Sequence, residues 1–210
     1  RPYLLLNAAF FVCGFHVTLI GAYLPRYGED LGHKDTATTA LALIGLFNVF
    51  GSLAAGALGG KHSKTKLLSG IYAARALVIS VYILLPPEPA FTLLFGAAIG
   101  LLWLSTVPLT SGMVTEQFGT THSGALFGIV FFSHQLGAFA GALGGSWAHD
   151  RYGSYDLVWW IAVALGVAAS LIHLSIEEGP VQNPPSGTTR AGGMLPAGGL
   201  ASVLLIVGIG

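Results

Sequence analysis

Arg75 is the residue that most demands a chemical account. It sits in LLSGIYAARALVISVYILL, a run that is otherwise without charge. A guanidinium inside such a run either holds an anion, pairs with an acid such as Glu116, or reaches to a charged surface. His134 and Gln135 form the second candidate, an adjacent polar pair inside GIVFFSHQLGAFAGALGG. A neutral imidazole donates and accepts, and it titrates near physiological pH, so His134 could hydrogen-bond a solute or pass a proton. The same pair could instead fasten two helices by a hydrogen bond worth ~1 kcal/mol. His16 poses the same choice, on the face opposite Asn7, Gly14 and Thr18. The fourth candidate is the segment around Pro108. Trp103, Ser105, Thr106 and Thr110 surround a proline that cannot donate to Leu104, so a kink there frees a carbonyl beside hydroxyls. Such a place suits a binding wall or a hinge. Asn48 reads as an interhelical contact.

These residues need elements that can hold polar groups in an apolar setting. Only 9% of the 210 residues are charged and 53% are hydrophobic, and there are 30 glycines. An average soluble chain is roughly 25% charged. The composition points to a polytopic α-helical membrane protein. Formal net charge is zero, with no basic tract for nucleic acid. The single Cys13 excludes an internal disulfide. His62, His122 and His149 lack ligand spacing, so neither metal nor cofactor is expected. The chain starts at Arg1; the expectation is that no separate leader precedes the first span and that the chain is a piece of a longer protein.

Six spans are expected, at about 3–24, 39–60, 67–85, 90–113, 124–148 and 155–176, each near the ~20 residues that cross a bilayer. Pro25 is expected to close the first, and Pro108 to kink the fourth. Residues 179–210 read as a disordered tail whose apolar end, 200–209, is too short for a crossing. The side that holds the N-terminus carries Arg1, Lys61, Lys64, Lys66 and Arg190. The other carries Arg26, Lys34 and Arg151. This bias predicts that both termini face the cytoplasm.

Two patterns concern packing. Gly137, Gly141 and Gly145 recur every fourth residue and share one helix face, where another backbone can come close. The hexapeptide AGALGG occurs at 55–60 and again at 140–145. Each copy is expected to end a span, and they lie three spans apart, so the second runs the opposite way through the membrane. A six-helix bundle built as a 3+3 inverted repeat follows, a plan that secondary transporters use.

With these residues in view the chain resembles the C-terminal half of a major facilitator superfamily transporter, over roughly 3–178. The segments WLSTVPLTSGMVTEQFG, GIVFFSHQLGAFAGALGG and DRYGSYDLVWW resemble bacterial members near the monocarboxylate-transporter branch. The loop after span two is similar to the family's cytoplasmic motif G-x-L-x-D-[RK]-x-G-[RK]. Gly56, Leu58, Lys61 and Lys64 match it, while Gly60 replaces the Asp and Ser63 the second Gly. The resemblance implies secondary active transport of a small solute, as symporter or antiporter, with protons as a candidate coupling ion. It implies that a missing N-terminal six-helix half completes the cavity. The first and fourth helices of each half would line that cavity, flanked by the second and fifth. His16, Trp103, Thr106, His134 and Gln135 are then the candidate solute contacts. Arg75, Glu116, Lys61, Lys64 and Pro108 are the candidate gating or structural residues.

Two other readings were open. A non-transporting membrane fragment or scaffold would show the same composition. An intramembrane serine hydrolase would need Ser123 or Ser111 paired with His173 or His134. The run AGALGGKH fails as a phosphate loop because Ala55 and His62 stand where Gly and Ser/Thr belong.

Overall fold

The structure, a computed structural model, describes residues 2–86 and 88–179. They form seven α-helices: α1 (Pro2–Asp30), α2 (Lys34–Gly59), α3 (Lys64–Leu84), α4 (Pro89–Leu102), α5 (Thr106–Phe118), α6 (Ser123–Tyr152) and α7 (Asp156–Leu174). α4 and α5 are two halves of one span, so six segments are long and apolar enough to cross a membrane. Residues 180–210, including the expected tail and its apolar end, lie outside the described residues.

The first span does not stop at Pro25. α1 carries that proline inside it and runs on to Asp30. Pro25 clashes with the carbonyl four residues back, which belongs to Gly21 on an open side of the helix, so the carbonyl has room to tilt. Beyond the proline, Tyr27 packs on Tyr82 and Trp159, and Gly28 faces Ala37. These contacts hold the last turns. α2 likewise starts earlier than expected, at Lys34. α3 opens on Ser63, whose hydroxyl accepts from the Lys66 N–H at 3.2 Å. α6 outruns its glycine hexapeptide by a further two turns and ends where Gly153 turns left-handed at φ 69°. The second copy of AGALGG therefore lies inside its helix, whereas the first closes α2.

The strongest packing joins the first span to the fifth, the second to the fourth and the third to the sixth. Exchanging the first three spans for the last three maps this set onto itself. The lesser contacts obey the same exchange: first–second with fourth–fifth, first–sixth with third–fourth, second–third with fifth–sixth. The bundle is thus an all-α six-helix membrane fold with the packing plan of a 3+3 repeat.

Glycine makes the two principal pairs close. A Cβ on Gly137 would lie 1.9 Å from the Phe11 carbonyl oxygen, and one on Gly14 would lie 1.8 Å from that of His134. A Cβ on Gly51 would lie 1.9 Å from the Leu101 oxygen. Only backbone meets backbone there. All three residues of the Gly137 stripe face α1, with Gly145 against the Tyr23 ring.

Two apolar cores stack along the bundle. One gathers Leu6, Phe10, Leu68, Tyr72 and Met113 toward the N-terminal side. The other gathers Leu19, Leu24, Tyr82, Phe95 and Trp159 toward the far side. On α1 the first core ends at Cys13 and the second begins at Phe15. The polar residues of interest lie at that seam.

Candidate functional site in the broken fourth span

The fourth span breaks at 103–105, a turn earlier than its proline. Pro108 occupies the third position of α5, where a missing N–H costs nothing, and its ring excludes a helical Leu104 carbonyl. The helix gives way upstream, around Leu104. A break at mid-membrane strands backbone groups that no water can satisfy.

Two side chains from other helices take them. Asn48 of α2 accepts the Leu104 N–H on its Oδ1 at 3.0 Å and also accepts from Ser52 at 3.1 Å. Arg75 of α3 donates from Nε to the Leu102 carbonyl at 3.1 Å, and from Nη2 to the carbonyls of Leu102 and Trp103. The C-terminal end of α4 is negative, so a cation is the apt cap there. The Ser105 hydroxyl closes back on Leu101 at 2.6 Å. The hydroxyls around Pro108 were one expected source of partners for a carbonyl freed there. The guanidinium takes most of that work.

Arg75 neither reaches the surface nor meets Glu116. It is 2% exposed, and its Cζ lies 5.4 Å from the Tyr72 ring centre. Glu116 pairs with Lys64 instead. The remaining Arg75 nitrogen, Nη1, donates to Cys13 Sγ at 3.5 Å, and Cys13 also contacts the Thr106 hydroxyl at 3.2 Å. His134 lies against Cys13. Its ring stacks on Phe131 at 5.2 Å, and its Nε2 has no partner among the described residues.

These residues share one depth. Cys13, Arg75 and His134 each stand eleven residues from the start of a helix that begins on the N-terminal side. At ~1.5 Å per residue that is ~16 Å, about half of a bilayer core. Thr106 stands twelve residues before the end of its span, ~18 Å from the same side.

The other expected residues are distributed differently. His16 turns to the sixth span, where Nε2 bonds the Ala162 carbonyl at 2.8 Å. Gln135 is exposed, with only a long 3.4 Å contact to His134. Trp103 is half-buried at the break. Lys61 is exposed beyond α2. No serine–histidine pair forms among the described residues: Ser123 bonds the Thr120 carbonyl, Ser111 that of Pro108, and His173 stacks on Tyr72.

Two participants escaped the sequence reading. Cys13 looked like one more apolar residue in its run. Glu178, just past α7, accepts from the Thr65 N–H and from the hydroxyls of Thr65 and Ser63, both at 2.9 Å. Partial burial pushes its carboxyl up, but those hydrogen bonds and the nearby Lys64 charge outweigh this and hold it below the ordinary carboxylate range. The loop that lacks the motif's Asp at Gly60 is thus tied by Glu116, in the last turn of the fourth span, and by Glu178, just past the sixth.

The family model for the Major Facilitator Superfamily matches residues 6–208. The chain belongs to that superfamily. It is 28% identical over 174 residues to the "Uncharacterized MFS-type transporter YcxA" of Bacillus subtilis (strain 168), across 78% of this chain and 41% of that protein. The chain therefore spans about two fifths of the length of that relative. As a superfamily member it is a multi-pass integral membrane protein of a transporter family, not an enzyme.

Proposed function

We propose that this chain is one six-helix half of a secondary active carrier, which moves a small solute by alternating access against a second, N-terminal half. The observation that carries the reading is the discontinuous fourth span. Broken helices at the bilayer midplane are where secondary transporters bind solute and flex. Here the break is braced by polar groups from two other helices and sits between two apolar cores.

In this reading Gln135 and Trp103, which keep accessible surface, contact the solute, and His134 and Thr106 stand directly behind them. His16 takes the role of a fastener to the sixth span. Arg75 and Pro108 shape the break. Lys61, Lys64 and Glu116 belong to the cytoplasmic face that locks and unlocks. Protons are the proposed coupling ion, through His134. The Lys/Arg bias supports cytoplasmic termini, and the bacterial source of the relative supports a bacterial inner membrane. Segments of spans four to six support a place near the monocarboxylate-transporter-like branch.

Uptake of a panel of radiolabelled solutes into proteoliposomes tests the reading. The twelve-helix protein takes up at least one member of the panel down an imposed proton gradient, and Gln135→Ala lowers that uptake at least tenfold. Residues 1–210 alone give no vectorial uptake. Uptake by residues 1–210 alone would falsify the half-carrier reading.

A further inference from the structure

All nine Asp and Glu residues lie at helix ends or in loops. Arg75 therefore holds a full charge at mid-depth, and no described carboxylate reaches it. The Leu102 and Trp103 carbonyls oppose it only as dipoles. A buried cation without a counter-charge is costly in hydrocarbon. Among the described residues, the acidic group within hydrogen-bonding distance of the guanidinium is the Cys13 thiol, 3.5 Å from Nη1 and fully buried.

The other neighbours of Cys13 have the same polarity. The Thr106 hydroxyl at 3.2 Å can donate to sulfur, and the adjacent His134 is 7% exposed, with Nε2 unpartnered among the described residues. From α3 the titratable groups are Arg75 and Tyr72, whose hydroxyl is committed to the Ala9 carbonyl at 3.0 Å. On α1 itself His16 is committed to Ala162. α5 brings hydroxyls and no ionisable side chain to this layer. Guanidinium, hydroxyl and imidazole thus converge on one sulfur, and none of them carries negative charge.

We propose that Cys13 is held as a thiolate, the counter-ion of Arg75, and that this sulfur is a proton-binding site at the middle of the membrane. Its place in a transport cycle rests on the carrier reading; its charge state does not. Binding makes one S–H bond: the neutral His134 ring takes a proton from the solute side, then breaks that N–H bond in passing the proton to the thiolate and is neutral again. No electrons change hands. Protonation leaves Arg75 with carbonyls alone, so proton uptake and the hold on the broken span act through the same guanidinium.

Infrared spectroscopy of residues 1–210 in bilayers tests this directly, because one cysteine gives one S–H stretching band, with Cys13→Ser as the blank. Wild type shows no S–H band at neutral pH, and the band grows to the strength of one thiol as the pH is lowered. Arg75→Gln shows the full band at neutral pH, and Arg75→Lys, which keeps the cation, does not. A full-strength band in folded wild type at neutral pH overturns the proposal. So does an Arg75→Gln spectrum that matches wild type. Neither measurement involves transport, so a failed uptake assay and a failed thiolate assignment are separate results.

Discussion

At the scale of single residues, the broken fourth span depends on two side chains that belong to other helices. Arg75→Met leaves the Leu102 and Trp103 carbonyls buried without donors, and about 3 kcal/mol of stability is lost. Asn48→Ala frees one N–H and costs ~1–2 kcal/mol. Because both act on one break, the double variant departs from the sum of the singles. Denaturant titration in mixed micelles, followed by circular dichroism, measures all three. Arg75 was conspicuous in the sequence because a charge inside an apolar run is rare. Its partners were not, because backbone carbonyls carry no residue label and become acceptors only where a helix breaks. Cys13 was missed for a related reason: a thiol is counted as apolar until a cation is placed beside it. A second residue-level prediction concerns pH. The Glu178 carboxyl is held below its ordinary value of 4.5 by Thr65, Ser63 and Lys64. Its stabilising contribution is complete above that value and disappears as pH falls through the lower, folded one. In a series of unfolding titrations from neutral to acid pH, Glu178→Gln is less stable than wild type at neutrality and converges on it in acid.

At the scale of helices, close approach decides which glycines matter. A methyl at position 137 would meet the Phe11 carbonyl, so Gly137→Ala must push α1 and α6 apart. A loss of ~3 kcal/mol is expected, at the upper end for overpacking, because a backbone cannot rotate aside. Gly128→Ala, on the same helix with nothing within 4 Å, is not destabilising and gains up to ~1 kcal/mol of helix propensity. Thermal unfolding of the two variants in one detergent separates them. The four-residue glycine spacing announced this face in the sequence. Helix ends were less legible. Pro25 looked like a stop because its local effect is to break, yet Tyr27 and Gly28 make tertiary contacts that carry the helix past it. Pro108 did announce a break, but the backbone yields around Leu104, where the clashing carbonyl lies, rather than at the ring itself.

For the molecule as a whole, the exchange of triplets predicts matched energetics. Gly51 faces Leu101 between the second and fourth spans much as Gly137 faces Phe11 between the fifth and first. Gly51→Ala and Gly137→Ala therefore destabilise to within ~1 kcal/mol of each other. A gap of several kcal/mol between them would show that the two principal pairs are not energetic equivalents. The hexapeptide AGALGG pointed to this plan, and the packing pairs follow it although the two copies end up at different places in their helices.

The fourth span is, mechanically, two rods in line with a universal joint between them, and the bearings of that joint belong to the second and third helices. A joint mounted in this way is geared to its mounts. The two rods cannot change their angle unless Asn48 and Arg75 travel with them or let go. Bending of one helix is thereby transmitted sideways to two others, as a crank turns a linkage.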